Sequence, residues 1–131
     1  NMWKKTMKKK ILIVDDEENF TKIVKLNLEK TDGYEVRIEN KGSYGLATAK
    51  EFKPDLILLD VLMPDTQGGE VAYQLKNDDE TKNIPIVFLT ALATKEQVEK
   101  DSGIIGGYPF IAKPVTAEEL IDCIEKNISK R

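Results

Sequence analysis

The 131-residue chain contains no histidine and a single cysteine. Without histidine there is no Ser-His or Cys-His hydrolase arrangement, and the common zinc sites lose their usual ligand. One thiol excludes an internal disulfide. Cys123 falls among the apolar positions of a helix-like segment, where a small buried hydrophobe is the expected role. A membrane-spanning run is also missing: the longest mainly apolar stretch, residues 84–93, is interrupted by Pro85 and Thr90 and is far shorter than a bilayer requires. The start of the chain lacks the apolar stretch of a secretion signal, and the residue ahead of Met2 points to a tag remnant. A cytoplasmic setting is expected. Strong charge of one sign is absent as well. A net charge of -3 argues against a nucleic-acid surface, although Lys4, Lys5, Lys8, Lys9 and Lys10 form a basic cluster that reads as a solvated lead-in.

What is present is the content of one ordinary globular domain, 40% hydrophobic and 33% charged. Residues 1–8 are expected to be the tag remnant and lead-in, and residues 9–131 the domain. Strand-like runs occur at residues 11–14, 35–39, 56–59, 86–89 and 110–112, separated by helix-like patterns. Phe20, Ile23, Val24 and Leu28 fall at helical spacing, as do Ala117, Leu120, Ile121, Ile124 and Ile128, and both stripes are expected in the core. Thr94 with Gln97 and Thr116 with Glu119 form capping boxes for the fourth and fifth predicted helices, and Pro54 ends the second. Residues 77–83 are almost wholly polar and read as a surface loop. The apolar runs of the first, third and fourth strands are continuous, the pattern of strands covered on both faces. Five βα units with such strands predict a doubly wound parallel sheet, whose sites lie at the carboxyl ends of the strands.

Those ends carry the reactive residues. The first strand runs into Asp15 and Asp16, the third ends in Asp60, the fourth in Thr90 and Ala91, and the fifth in Lys113 and Pro114. Only the second ends without an obvious reagent. Three carboxylates gathered in one crevice repel each other and resist ionisation unless a cation sits among them. Oxygen-only ligands suit a hard divalent ion such as Mg²⁺, which keeps positions open for phosphate oxygens.

In this order, at successive strand ends, the motifs DD, DVLMPDTQG, PIVFLTA and FIAKP resemble the receiver domain of two-component response regulators, over about residues 9–128. The resemblance implies a flavodoxin-like five-stranded sheet in the order 2-1-3-4-5. It implies that Asp60 is the phosphoacceptor and that Asp15, Asp16, Asp60 and the backbone carbonyl of Leu62 bind Mg²⁺, Asp15 partly through water. Lys113 and Thr90 would serve the phosphoryl oxygens, with the small Ala91 leaving space, and the Lys113–Pro114 peptide would be cis. Thr90 and the aromatic Phe110 would form the switch that alters the surface of the fourth helix, fifth strand and fifth helix. The family often carries Gly-Ala and an acidic pair before that aromatic. Here Gly106, Gly107, Tyr108 and Pro109 stand instead, which makes Tyr108 a second aromatic candidate.

The partner implied is a histidine kinase or a histidine phosphotransfer protein, because this chain has no histidine to carry the donor group. A downstream protein target and a phosphorylation-dependent homodimer belong to the same expectation, with no membrane or direct nucleic-acid contact. The chain is expected to catalyse only its own phosphorylation and slow dephosphorylation: Leu62 and Leu92, two residues beyond Asp60 and Thr90, are apolar and cannot orient an attacking water. It reads as a stand-alone receiver or as one cut from a longer protein. Three other functions compete. A flavodoxin needs a hydroxyl- and glycine-rich phosphate loop where this chain has DDEEN. A Mg²⁺-dependent aspartate-nucleophile phosphatase usually carries a second acid where Leu62 stands. A binding module working without phosphorylation would have little need of the reactive set.

Overall fold

The computed structural model describes residues 7–91, 96, 104–105 and 107–128. Strands β1 (Lys9–Val14), β2 (Tyr34–Glu39), β3 (Leu56–Asp60) and β4 (Ile86–Thr90) are followed by a two-residue strand β5 (Ile104–Ile105) and by β6 (Tyr108–Ala112). The helices among the described residues are α1 (Glu18–Glu29), α2 (Gly45–Phe52), α3 (Gly68–Lys76) and α4 (Ala117–Asn127), with a 3₁₀ turn at Gly42–Tyr44. The strand order is β2-β1-β3-β4-β6-β5. Its first five members are parallel and reproduce the expected 2-1-3-4-5 arrangement, β6 being the fifth predicted strand. β5 pairs antiparallel with β6 and caps the sheet edge, an addition the apolar pattern did not announce because two residues are too few to show a period.

Side chains alternate across the sheet, so each buried strand feeds two cores. Leu12, Val14, Ile57, Leu59, Ile86 and Phe88 point to one face, against Ala49 and Phe52 of α2 and Val71, Ala72 and Leu75 of α3. Ile11, Ile13, Leu56, Leu58, Val87 and Leu89 point to the other, against Val24 and Leu28 of α1 and Leu120 and Ile124 of α4. Every residue of β3 and β4 is buried, which accounts for their uninterrupted apolar runs.

One expectation about the core is corrected. Ile23 is 57% exposed, and Thr21 is buried in its place, its hydroxyl donating to the Glu18 carbonyl at 3.0 Å. At 100° per residue, positions 21, 24 and 28 fall within one narrow sector and 23 lies far round the helix from it. Cys123 is half-buried against the α1–α4 core, and desolvation raises its thiol pKa, as a packing residue requires. The second predicted helix stops at Phe52, one residue beyond which Lys53 adopts a left-handed conformation ahead of Pro54. The Thr116–Glu119 capping box opens α4, whereas the Thr94–Gln97 box lies outside the described residues.

Candidate functional site at the strand ends

Parallel pairing levels the strand ends: Val14 is beside Leu59, Asp60 beside Leu89, and Thr90 beside Ala112. One position further along the chain from Val14 and Ala112 come Asp15 and Lys113, so reagents distant in sequence share one edge. Asp15, Asp16 and Asp60 each present a carboxylate oxygen within 4.8 Å of the others. Asp15 is fully buried, and both its oxygens are engaged: the Glu17 N–H donates to Oδ1 at 2.9 Å and Lys113 Nζ to Oδ2 at 2.7 Å. The Lys113 ammonium also donates to Glu17 Oε1 at 2.8 Å and lies 4.4 Å from the centroid of the Phe20 ring. Its distance to Asp60 Oδ1 is 3.8 Å. Thr90 is buried, and its carbonyl accepts from the Lys113 N–H at 2.7 Å; the Lys113–Pro114 peptide is cis.

The electrostatics follow from this crowding. Burial, then the adjacent Asp15 charge, push the Asp60 pKa up to about 6; Lys113 opposes the shift without cancelling it. Burial likewise raises Asp15, against the hydrogen bonds from Lys113 and Glu17. Burial works to lower the Lys113 pKa, but its hydrogen bonds to Asp15 and Glu17 outweigh it and hold the ammonium above the ordinary lysine value. Two buried acids that resist ionisation, grouped with Asp16 and offering only hard oxygen donors, make the kind of seat that a small divalent cation relieves.

The loop after Asp60 is folded back tightly. Leu62 bridges to Gln67, Met63 donates to the Thr66 carbonyl at 3.2 Å, and Gly68 donates to the Val61 carbonyl at 2.7 Å. A Cβ on Gly68 would stand 2.1 Å from the Asp60 carbonyl oxygen, so this approach is open to glycine alone. The Leu62 side chain is exposed on the rim. Phe110, half-buried, stacks on Phe88 with centroids 4.9 Å apart, and Tyr108 meets the same ring edge-on at 5.2 Å.

Residues 11–125 match the family model described as the response regulator receiver domain. The chain belongs to that family. Among relatives of this receiver domain, the polar-differentiation response regulator DivK of Brucella anthropi is 37% identical over 120 residues, covering 91% of this chain and 95% of its own. The DNA-binding dual master transcriptional regulator RpaA of Synechocystis is 36% identical over 113 residues, which span 86% of this chain but 46% of that longer protein. Chemotaxis protein CheY4 of Vibrio cholerae has a similar solved structure, with a TM-score of 0.78 at 28% identity, covering 92% of this chain and 99% of that one. The receiver domain thus works within two-component signalling. No helix among the described residues is long and apolar enough to cross a membrane.

Three contributors to the site had no role assigned from sequence. Asn40, just past the second strand, donates its Nδ2 to the Asp15 carbonyl at 2.8 Å and to Thr21 Oγ1 at 3.1 Å, and so pins the acidic loop. Glu17 was legible only as one more acid in DDEEN, and Phe20 only as a stripe residue. Nothing local marks either as a contact of Lys113, which is 96 residues beyond Glu17. Leu92 and Gly106 lie outside the described residues.

Proposed function

We propose that this receiver domain takes a phosphoryl group onto the Asp60 carboxylate from a phosphohistidine of a histidine kinase or phosphotransfer protein. The observation that carries the reading is the buried Asp60 carboxyl grouped with Asp15 and Asp16 and facing the Lys113 ammonium at 3.8 Å. An Asp60 oxygen attacks phosphorus as the bond from phosphorus to the imidazole nitrogen breaks. The imidazole leaves with the electron pair and takes up a proton, and an acyl phosphate remains. Attack by an anion on an anionic group is repulsive, so catalysis rests on positioning and on positive charge at the equatorial oxygens. Lys113 supplies one such charge, and the Thr90 hydroxyl donates to a phosphoryl oxygen. Asp15, Asp16, Asp60 and the Leu62 backbone carbonyl would hold Mg²⁺, whose chemistry there is to neutralise phosphoryl charge.

Signalling follows from the same group. Thr90 is drawn toward the phosphoryl oxygens, and Phe110, packed on Phe88, turns inward and remodels the face built from the fourth predicted helix, β6 and α4. That face is read by a downstream protein or by a second phosphorylated copy. The domain turns over no external substrate, and it works in the cytoplasm. With apolar Leu62 and Leu92 two residues beyond Asp60 and Thr90 in the sequence, the acyl phosphate is long-lived; replacing both with polar residues should speed its loss, and an unchanged half-life would count against this.

The test is intact mass after incubation with acetyl phosphate and Mg²⁺. One phosphoryl adduct should form on the parent and be absent from Asp60→Asn and from a chelated sample. No adduct on the parent, together with no binding of a phosphoryl mimic, would mean a protein-binding module that works without phosphorylation.

A further inference from the structure

Lys113 is held on three sides. Two short hydrogen bonds tie its ammonium to Asp15 and Glu17, and the Phe20 ring forms a third wall, while Asp60 remains beyond hydrogen-bond distance. The Lys113 side chain is only 10% exposed, whereas that of Glu17 is 60% exposed and, although Glu17 is the N-cap residue of α1, makes no capping hydrogen bond. Glu17 therefore spends its charge on one buried partner at the mouth of the site. A lysine ammonium has three donors, and here two of them are committed before any phosphoryl oxygen arrives.

We propose that Glu17 is a positioning residue that parks Lys113 away from Asp60, so that the ammonium must leave the Glu17 carboxylate before it can serve a phosphoryl group. The inference rests on Asp60 being the phosphoacceptor. Its consequence is a site held below its full phosphoryl affinity in the resting state. The Asp15 contact stays available throughout, because Asp15 and Asp60 are neighbours in the acid cluster and a small movement of the ammonium serves both. The Glu17 contact pulls toward the exposed start of α1, and an oxygen bound at Asp60 competes with it directly.

The experiment measures the Kd of beryllofluoride with Mg²⁺, by calorimetry, for the parent, Glu17→Ala and Glu18→Ala, and for Glu17→Ala in a Lys113→Ala background. Mg²⁺ alone is titrated in parallel. Glu18→Ala removes an equal charge one residue away and controls for bulk repulsion. Glu17→Ala should tighten the mimic about fivefold, the upper range for releasing one ion pair at a site partly open to water. Its affinity for Mg²⁺ alone should be unchanged or weaker, and the gain should disappear once Lys113 is gone. An equal gain in the Lys113→Ala background, an equal gain from Glu18→Ala, or weaker binding of the mimic by Glu17→Ala would each overturn the parking role. A parent that binds Mg²⁺ yet not the mimic would overturn the phosphoacceptor reading, and this inference with it.

Discussion

Asp60 is held at a cost to the fold. With its pKa near 6 in the folded protein and 3.8 as the ordinary value, the native state keeps a proton that the unfolded chain has lost. Stability therefore falls as pH rises from about 4 to about 6, and ionisation at neutral pH costs about 3 kcal/mol by linkage. Asp60→Asn, which carries no charge to desolvate, should raise metal-free stability at pH 7 by up to about that amount, with the gain shrinking toward pH 4. Urea melts of both proteins at the two pH values measure it, and equal midpoints at pH 7 would refute the electrostatic account. The same reasoning applies to the cluster as a whole. Mg²⁺ at roughly a hundred times its Kd should stabilise the parent by about 2.7 kcal/mol, and chelation should reverse this. Thermal melts with Mg²⁺ and with chelator read the effect, which should be much smaller for Asp15→Asn.

The elements are joined where the site needs them fixed. α3 begins with two glycines that differ sharply in surroundings: Gly68 rests against the Asp60 carbonyl, whereas nothing lies within 4 Å of a Cβ on Gly69. Gly69→Ala should stabilise α3 by about 0.5–1 kcal/mol through propensity. Gly68→Ala forces α3 off the end of β3 and should cost more than about 2 kcal/mol while slowing acyl phosphate formation. Denaturant melts and the intact-mass assay would show both; a harmless Gly68→Ala would mean that the β3–α3 junction is soft. At the opposite end of the sheet, Glu125 of α4 accepts from Tyr34 Oη at 2.5 Å and from Lys9 Nζ at 2.6 Å, binding the last helix to β1 and β2. These two donors lower the Glu125 pKa, so their stabilisation is present above the ordinary 4.5 and is lost as pH falls through the depressed value. Tyr34→Phe should cost about 1–2 kcal/mol at pH 7 and less below pH 4, measured by urea melts at each pH.

For the whole molecule, burial and reactivity are segregated. The sheet interior is sealed on both faces by four helices among the described residues; of the buried polar residues, Asp15, Asp60 and Thr90 lie at the carboxyl edge, where the strands stop and the helices have yet to start, whereas Thr21 and Thr81 each donate a hydroxyl to a helix carbonyl. This is why the fold was legible. Runs such as residues 11–14 and 56–59 can be apolar throughout only if both faces are covered, and each run ends in an acid because the chain there emerges beside the site. Ile23 was misplaced because an apolar residue at helical spacing can fall on the flank of a stripe as well as in it, and only the packed neighbours decide.

The fold class and the identity of the acids, threonine and lysine at the strand ends can be read along the chain, because periodicity and strand-end chemistry are local properties. The tertiary structure decided what each of them touches. Which two carboxylates hold Lys113, which amide pins the Asp15 backbone, which glycine admits the Asp60 carbonyl and which tyrosine anchors α4 depend on approach distances of a few ångströms between segments 8 to 98 residues apart. Short-range patterns carry no record of such distances; they are set when two packed layers close on one sheet.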